Sequence, residues 1–150
     1  MEKMQFRPLT AKYHVSGPLT VDLIPLLADQ GFAKIICNLP DGEIDGQPDH
    51  ATLSEAVTAY GIDFVYIPVT VTEMTPQVVL HHTKAVIETE GAVLAYCATG
   101  RRCSMLWALE FSDKYSQDQI MSKARAIGFD FSSMRQKLAA FQPLPSGVRF

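Results

Sequence analysis

Short β-prone runs alternate with helical apolar stripes along these 150 residues, and this alternation constrains the fold more than any other feature. Strands are predicted at Lys34–Asn38, Asp63–Pro68 and Ala92–Tyr96. Between these strands, apolar residues recur three and four positions apart, as they do on one face of a helix. Successive strand-helix-strand units build a parallel sheet. The sequence therefore predicts an α/β fold with a parallel-type central sheet flanked by helices.

Local signals predict the remaining elements and their ends. Gly31 and Gly61 each follow a helical stripe, where a left-handed residue commonly ends a helix. One stripe contains His82, which is predicted to be a core residue whose polar atoms are satisfied. The other predicted elements are an edge strand at Tyr13–Ser16, a helix at 22–30, a helix that a capping box at Ser116–Gln119 opens and Gly128 ends, and a last helix through Met134, Leu138 and Phe141.

Length, charge and cysteine content limit the class of protein. A chain of this length fills one core, so residues 1–150 are predicted to form a single domain with a C-terminal tail at 142–150. The net charge of −3 and the scattered basic residues argue against a nucleic-acid surface. No apolar run has membrane-spanning length, and the N-terminus lacks a signal-peptide stretch. Three cysteines without disulfide-framework spacing favour a reducing compartment, so we expect a soluble cytoplasmic protein.

The segment that follows the strand at Ala92–Tyr96 carries the chemistry. Cys97 ends the strand, and a loop with Gly100 and two arginines leads into an apolar helix predicted to begin at Ser104. Backbone N–H groups in such a turn converge on one point, and the helix dipole adds positive potential there. Both effects favour a bound oxyanion and lower the pKa of a thiol. Cys97 is therefore predicted to be a thiolate nucleophile, the alternative being a thiol that only packs.

The predicted anion-binding loop consists of Ala98, Thr99, Gly100, Arg101, Arg102 and Cys103. Arg102 is expected to clamp two oxygens at once, whereas Arg101 is expected to be exposed and to steer anions. Cys103 is either a small buried hydrophobic residue or a thiol that forms a reversible disulfide with an oxidised Cys97. Ser104 is expected to cap the helix and to hydrogen-bond the leaving thiolate. The sequence has no cluster of metal ligands, and no cofactor is predicted.

Several separated motifs resemble one bacterial family. The loop matches the phosphate-binding pattern of cysteine-dependent protein phosphatases at Cys97, Gly100 and Ser104, although the arginine of that pattern falls on Cys103. A fuller resemblance is to the small phosphatase-like family once called domain of unknown function 442, which also occurs fused to β-lactamase-like hydrolases and places its arginine as Arg102 is placed. The shared motifs are Ser16-Gly17, Asn38-Leu39-Pro40-Asp41-Gly42-Glu43, Gly46-Gln47-Pro48, Ile67-Pro68-Val69, Tyr96-Cys97 and Leu106-Trp107-Ala108-Leu109.

The resemblance implies a three-layer α/β/α fold like that of dual-specificity phosphatases. It also implies hydrolysis of phosphoesters, including phosphotyrosine, through a Cys97 thiophosphate, with a phosphorylated substrate or small oxyanion as the partner. In dual-specificity phosphatases the general acid follows the strand that corresponds to Asp63–Pro68. The nearest carboxylate after that strand is Glu73, which is therefore the candidate acid. The alternative is that Glu73 is only a solvated loop residue. Asp41 is the second candidate, but Pro-Asp-Gly is also a turn signal in itself.

Two other functions stay open. A rhodanese-like sulfurtransferase would carry a persulfide on Cys97, and its loops commonly span six residues from the cysteine to the basic residue, as Cys97 to Arg102 do. The third hypothesis is a non-catalytic module that binds a phosphorylated ligand. The radius of the loop distinguishes the phosphatase from the sulfurtransferase, because a phosphate needs a wider loop than a persulfide. This radius depends on where the following helix begins.

Overall fold

The computed structural model describes residues 6–146, which form a central five-stranded sheet between two layers of helices. The strands are β1 (Arg7–Pro8), β2 (Tyr13–Ser16), β3 (Phe32–Cys37), β4 (Asp63–Tyr66) and β5 (Ala92–Tyr96). The helices are α1 (Ile24–Asp29), α2 (His50–Thr58), α3 (Pro76–Ile87), α4 (Arg101–Glu110), α5 (Gln117–Ala126) and α6 (Arg135–Ala140). Short 3₁₀ turns lie at Val21–Leu23, Val71–Glu73 and Ser132–Met134.

The strand order is β1-β2-β5-β3-β4, and all neighbouring pairs are parallel except β1 with β2. This arrangement confirms the predicted parallel-type sheet and puts β5 at its centre. The prediction that Tyr13–Ser16 is an edge strand is wrong, because β2 lies between β1 and β5. The edge strand on this side of the sheet is the two-residue strand β1, where Pro8 is tolerated because an edge residue needs no N–H for a further strand.

Alternating side chains of β5 face opposite layers. Val93 and Ala95 belong to the core cluster that packs against α3, α4, α5 and α6. Leu94 and Tyr96 belong to the other cluster, which packs against α1 and α2. Because both faces of the strand are covered, nearly all of its residues are apolar. The three-layer α/β/α fold is thereby confirmed.

The helix after the cysteine loop begins three residues earlier than predicted. Its N-cap is Gly100, and α4 starts at Arg101 rather than at Ser104. Ser104 is wholly buried within α4, where its Oγ donates to the Gly100 carbonyl at 2.9 Å, so its predicted role as the cap is wrong. The apolar residues from which the helix was predicted belong only to the buried part of α4. Its first turn carries the two arginines and therefore shows no apolar pattern.

The predicted helix-ending glycines and the predicted capping box are confirmed. Gly31 and Gly61 have φ of +84° and +76°, and Ser116 with Gln119 forms a complete capping box. The predicted tail has no helix or strand from residue 142 to 146, and its remainder at 147–150 lies outside the described residues, as do residues 1–5. Within residues 6–146, no helix combines the length and hydropathy needed to cross a membrane.

Candidate active site

The loop from Cys97 to Gly100 lies between β5 and α4, at the centre of the carboxyl edge of the sheet. The Cys97 N–H donates to the Ser16 carbonyl at 3.2 Å, which continues the parallel pairing of β5 with β2 into the loop. The loop packs closely on β2, since a Cβ at Gly100 would lie 3.4 Å from the Ser16 nitrogen. Gly100 also has φ of +90°, which glycine adopts without steric cost.

The Cys97 side chain is buried, with the residue 1% exposed, and the Gly100 N–H donates to its Sγ at 3.2 Å. A hydrogen bond from the Cys103 thiol, together with backbone N–H groups of Cys103, Thr99 and Gly100, lowers the pKa of Cys97 to about 5 against the opposing effect of burial. Burial raises the pKa of Cys103 well above its ordinary value. At neutral pH, Cys97 is therefore a thiolate and Cys103 a neutral thiol that donates to it.

Arg102 lies in the first turn of α4, and two acceptors hold its guanidinium. Nη1 donates to the Val69 carbonyl at 2.8 Å and to Glu43 Oε1 at 3.0 Å, while Nη2 donates to Glu43 Oε2. These contacts use three of the five guanidinium N–H groups. The other two, Nε–H and the second Nη2–H, are parallel on one edge of the planar group. Such an edge can bind two oxygens of one phosphate.

Glu43 is a site residue that sequence patterns did not single out. It follows the Pro40-Asp41-Gly42 turn, and its N–H closes that turn by donating to the Pro40 carbonyl at 3.3 Å. Its side chain is 32% exposed, against 13% for Arg102. The hydrogen bond from Arg102 to Glu43 raises the pKa of the guanidinium. One feature of the sequence could have identified Glu43 as a site residue. It is acidic and lies in the segment after β3, at the same edge of the sheet as the loop with two arginines.

Arg101 contacts a different part of the chain from Arg102. It is half-buried rather than exposed as expected, and its Nη1 donates to the Asp130 carbonyl at 3.3 Å. Its guanidinium carbon lies 4.9 Å from the centre of the Phe131 ring, a distance typical of a cation–π contact. Arg101 therefore joins the start of α4 to the segment that precedes α6.

The two predicted acids lie on loops that border the site. Glu73 is exposed at the end of the 3₁₀ turn Val71–Glu73, and its Oε1 accepts from Thr70 Oγ1 at 3.0 Å. Asp41 is bound to His50, with Oδ1 accepting the backbone N–H at 2.8 Å and Oδ2 contacting Nδ1 at 2.6 Å. In the described part of the chain, no hydrogen bond links either carboxylate to Cys97 or Arg102. The structure thus brings the segments after β3, β4 and β5 together through Arg102 without placing an acid on the thiolate.

The described residues also bear on metal binding. Among residues 6–146, no three His, Cys, Asp or Glu side chains are grouped so that they could hold a metal ion. The chemical groups that the site does assemble are a thiolate, inward-facing amides and a guanidinium. Such a set can bind an oxyanion and attack its central atom.

The sequence matches a known family over residues 5–114, which is most of the chain. That family is the phosphatase-like domain of the β-lactamase hydrolase-like proteins. The chain belongs to this family. The resemblance predicted from the separated motifs is thereby confirmed.

Relatives of this phosphatase-like domain include both longer proteins and single domains. The β-lactamase hydrolase-like protein of Xylella fastidiosa is 30% identical over 129 residues, which are 85% of this chain and 30% of that protein. The chain thus spans about a third of the length of that relative. The crystal structure of a candidate phosphatase from Neisseria meningitidis is 32% identical and has a TM-score of 0.85, with coverage of 93% of this chain and 100% of its own.

The fold extends to more distant structures. TpbA of P. aeruginosa, solved in complex with phosphotyrosine, is 15% identical and has a TM-score of 0.66, with coverage of 96% of this chain and 86% of its own. The phosphatase-like domain therefore has the fold of tyrosine and dual-specificity phosphatases, as predicted.

Proposed function

We propose that this domain is a cysteine-dependent phosphatase that hydrolyses phosphomonoesters through a covalent intermediate on Cys97. The thiolate attacks phosphorus in line with the ester bond, so that an S–P bond forms as the P–O bond breaks and the leaving oxygen takes a proton. Water then attacks the phosphocysteine and releases inorganic phosphate, and the thiolate is restored. The nucleophile and the positive groups that neutralise charge all come from the chain itself, so the reaction is proposed to need no metal.

One observation carries this proposal: the buried Cys97 sulfur faces backbone N–H groups of its loop, and the following helix turn carries Arg102, whose Nε–H and second Nη2–H have no hydrogen-bond partner among residues 6–146. Amides and a guanidinium that are already oriented stabilise the charge that develops on the transferred phosphoryl oxygens. Arg102 supplies two parallel donors, which bind a phosphate more specifically than a lysine would. Membership of a phosphatase-like family supports the same chemistry.

Glu73 is the proposed general acid for the leaving oxygen. It lies four residues after Val69, whose carbonyl binds Arg102, so its segment borders the site. Asp41 is the weaker candidate, because His50 contacts both of its carboxylate oxygens. Proton donation matters most for poor leaving groups. The choice between the two carboxylates therefore depends on a comparison of substrates.

The substrate class proposed is a phosphomonoester, with phosphotyrosine as the first to test. TpbA shares the fold and has been solved with phosphotyrosine. A cytoplasmic location is also proposed, because Cys37, Cys97 and Cys103 are all free and a thiolate nucleophile must stay reduced.

Hydrolysis of p-nitrophenyl phosphate in the presence of a chelator tests the proposal. The wild type is expected to release p-nitrophenol, and Cys97→Ser is expected to abolish this release. Cys37→Ser is the matched control, since Cys37 is also a buried cysteine but its thiol donates to the Leu39 carbonyl, in the segment after β3. Release that is unaffected by Cys97→Ser, or that disappears with the chelator, would refute the mechanism.

A sulfurtransferase is the second candidate, and the start of α4 favours it. Since α4 begins at Arg101, only three residues separate Cys97 from the helix, and the Gly100 amide donates to the sulfur itself. Such a short loop suits a persulfide, which needs a narrower cradle than a phosphate. Thiocyanate formation from thiosulfate and cyanide, without ester hydrolysis, would replace the phosphatase hypothesis. A non-catalytic binding module would be indicated by a different result: the wild type shows neither ester hydrolysis nor thiocyanate formation, and Cys97→Ser still binds phosphate.

A further inference from the structure

Three wholly buried polar side chains connect the first turn of α4, which follows the cysteine loop Cys97–Gly100, to the loops after β3 and β4. They are Tyr13 on β2, His82 on α3 and Asn38 directly after β3, and each is at most 1% exposed. The Tyr13 hydroxyl donates to the Cys103 carbonyl at 2.9 Å and lies 2.6 Å from His82 Nε2. The Asn38 amide nitrogen lies 3.3 Å from His82 Nδ1 and donates to the Ile67 carbonyl at 2.8 Å.

The hydrogen atoms in the network of Tyr13, His82 and Asn38 have one consistent assignment. Because the Tyr13 hydroxyl donates its single hydrogen to Cys103, it must accept a hydrogen from His82 Nε2. His82 is then neutral, with a bare Nδ1 that accepts from Asn38. Protonation of His82 at Nδ1 would bring its N–H into contact with the Asn38 amide N–H, so that two buried donors would face each other without an acceptor. Burial accordingly lowers the pKa of His82 to about 3.

The backbone of Asn38 reaches the same loops. Its N–H donates at 2.8 Å to the carbonyl of Tyr96, the residue before Cys97, and its carbonyl accepts from the Val69 N–H at 3.1 Å. Val69 in turn binds Arg102 through its own carbonyl. One asparagine is therefore bonded to the strand that ends in the nucleophile and to the loop that holds the arginine.

We propose that Tyr13, His82 and Asn38 are positioning residues that hold the cysteine loop in register with the loops after β3 and β4. This role rests on the proposed phosphatase function. The network acts through the Cys103 carbonyl, in the turn whose amides face the Cys97 sulfur. Small displacements of such donors have large effects on rate, because the transition state requires them at fixed positions.

Tyr13→Phe tests the network by removing one oxygen atom. The Cys103 carbonyl loses a donor, His82 Nε2–H loses its acceptor, and the ring remains. We expect kcat/KM for p-nitrophenyl phosphate to fall about tenfold, and the midpoint of the pH profile of Cys97 alkylation by iodoacetamide to move upward. Tyr115→Phe makes the same change in a half-buried tyrosine that stacks on Phe111, and both quantities should be unchanged in it.

A second pair of variants covers the case in which Tyr13→Phe does not fold. His82→Gln keeps one donor and one acceptor, whereas His82→Leu keeps neither, so the alkylation midpoint should shift less in His82→Gln. Alkylation requires no turnover, so a wild type without phosphatase activity would refute the proposed function and leave this test intact. A folded Tyr13→Phe protein with the wild-type alkylation midpoint, or His82→Gln and His82→Leu with the same midpoint, would overturn the positioning role.

Discussion

Replacing Glu43 with glutamine tests how Arg102 is presented to an oxyanion. The substitution keeps the size of the side chain but removes its charge, and one carboxylate oxygen becomes an NH₂ group that faces a guanidinium N–H. The Val69 carbonyl, 2.8 Å from Nη1, remains as the other anchor. The guanidinium is then held at two points instead of three and without charge attraction, so its other edge is held less firmly.

The expected loss of phosphate affinity in Glu43→Gln follows from the strength of the Arg102–Glu43 ion pair. A hydrogen bond between charged groups contributes about 1.5–3 kcal/mol, and we take the lower part of this range because Glu43 is 32% exposed. Partial loss of the pair should therefore cost about 1–2 kcal/mol of phosphate binding, which corresponds to roughly 5- to 30-fold weaker affinity. If Glu43 instead competed with the substrate for Arg102, the same substitution would strengthen phosphate binding. The sign of the change separates the two models.

Calorimetric titration with inorganic phosphate measures this affinity without turnover, in a Cys97→Ser protein with and without Glu43→Gln. Glu55→Gln is the matched control, since it removes one negative charge at an exposed position on α2. Its phosphate affinity should be unchanged. Equal or tighter phosphate binding by Glu43→Gln would refute the claim that Glu43 positions Arg102.

Further predictions concern the thiolate, the acid and the loop. With its pKa lowered to about 5, Cys97 is deprotonated as pH rises through that value, so its alkylation rate should rise near pH 5 and level off by neutral pH. Cys103→Ala should move this rise to higher pH because a donor to the thiolate is lost, and Cys103→Ser should restore it. Glu73→Gln should slow hydrolysis of phenyl phosphate much more than that of p-nitrophenyl phosphate, whereas Asp41→Asn should slow both equally or neither; the reverse pattern would make Asp41 the acid. Gly100→Ala should lower the free energy of unfolding by about 1–3 kcal/mol in thermal denaturation, because φ is +90° there, and an unchanged melting temperature would contradict this.

Several elements were predictable because their determinants lie within a few residues of one another. The predicted strand Ala92–Tyr96 coincides with β5, since a strand covered on both faces is apolar throughout. The capping box at Ser116 depends on contacts across a single turn. The placement of Cys97 between a buried strand and a helix followed from the same local patterns.

The start of α4 was not predictable from periodicity. Arg101 and Arg102 form the polar first turn of that helix, and a polar turn has the same composition as a loop. The consequence reaches the site, because Ser104 then lies inside the helix instead of capping it.

The sequence by itself determined the layer architecture and the identity of the loop that carries Cys97, because hydrophobic periodicity and glycine positions are local properties of the chain. Only the tertiary structure decided which groups surround that loop. Glu43 meets Arg102 across 59 residues of sequence, and Tyr13 meets the Cys103 carbonyl across 90. No local pattern records such contacts, since they arise when parallel strands bring distant loops to one edge of the sheet and burial favours hydrogen bonds between the polar groups that meet there.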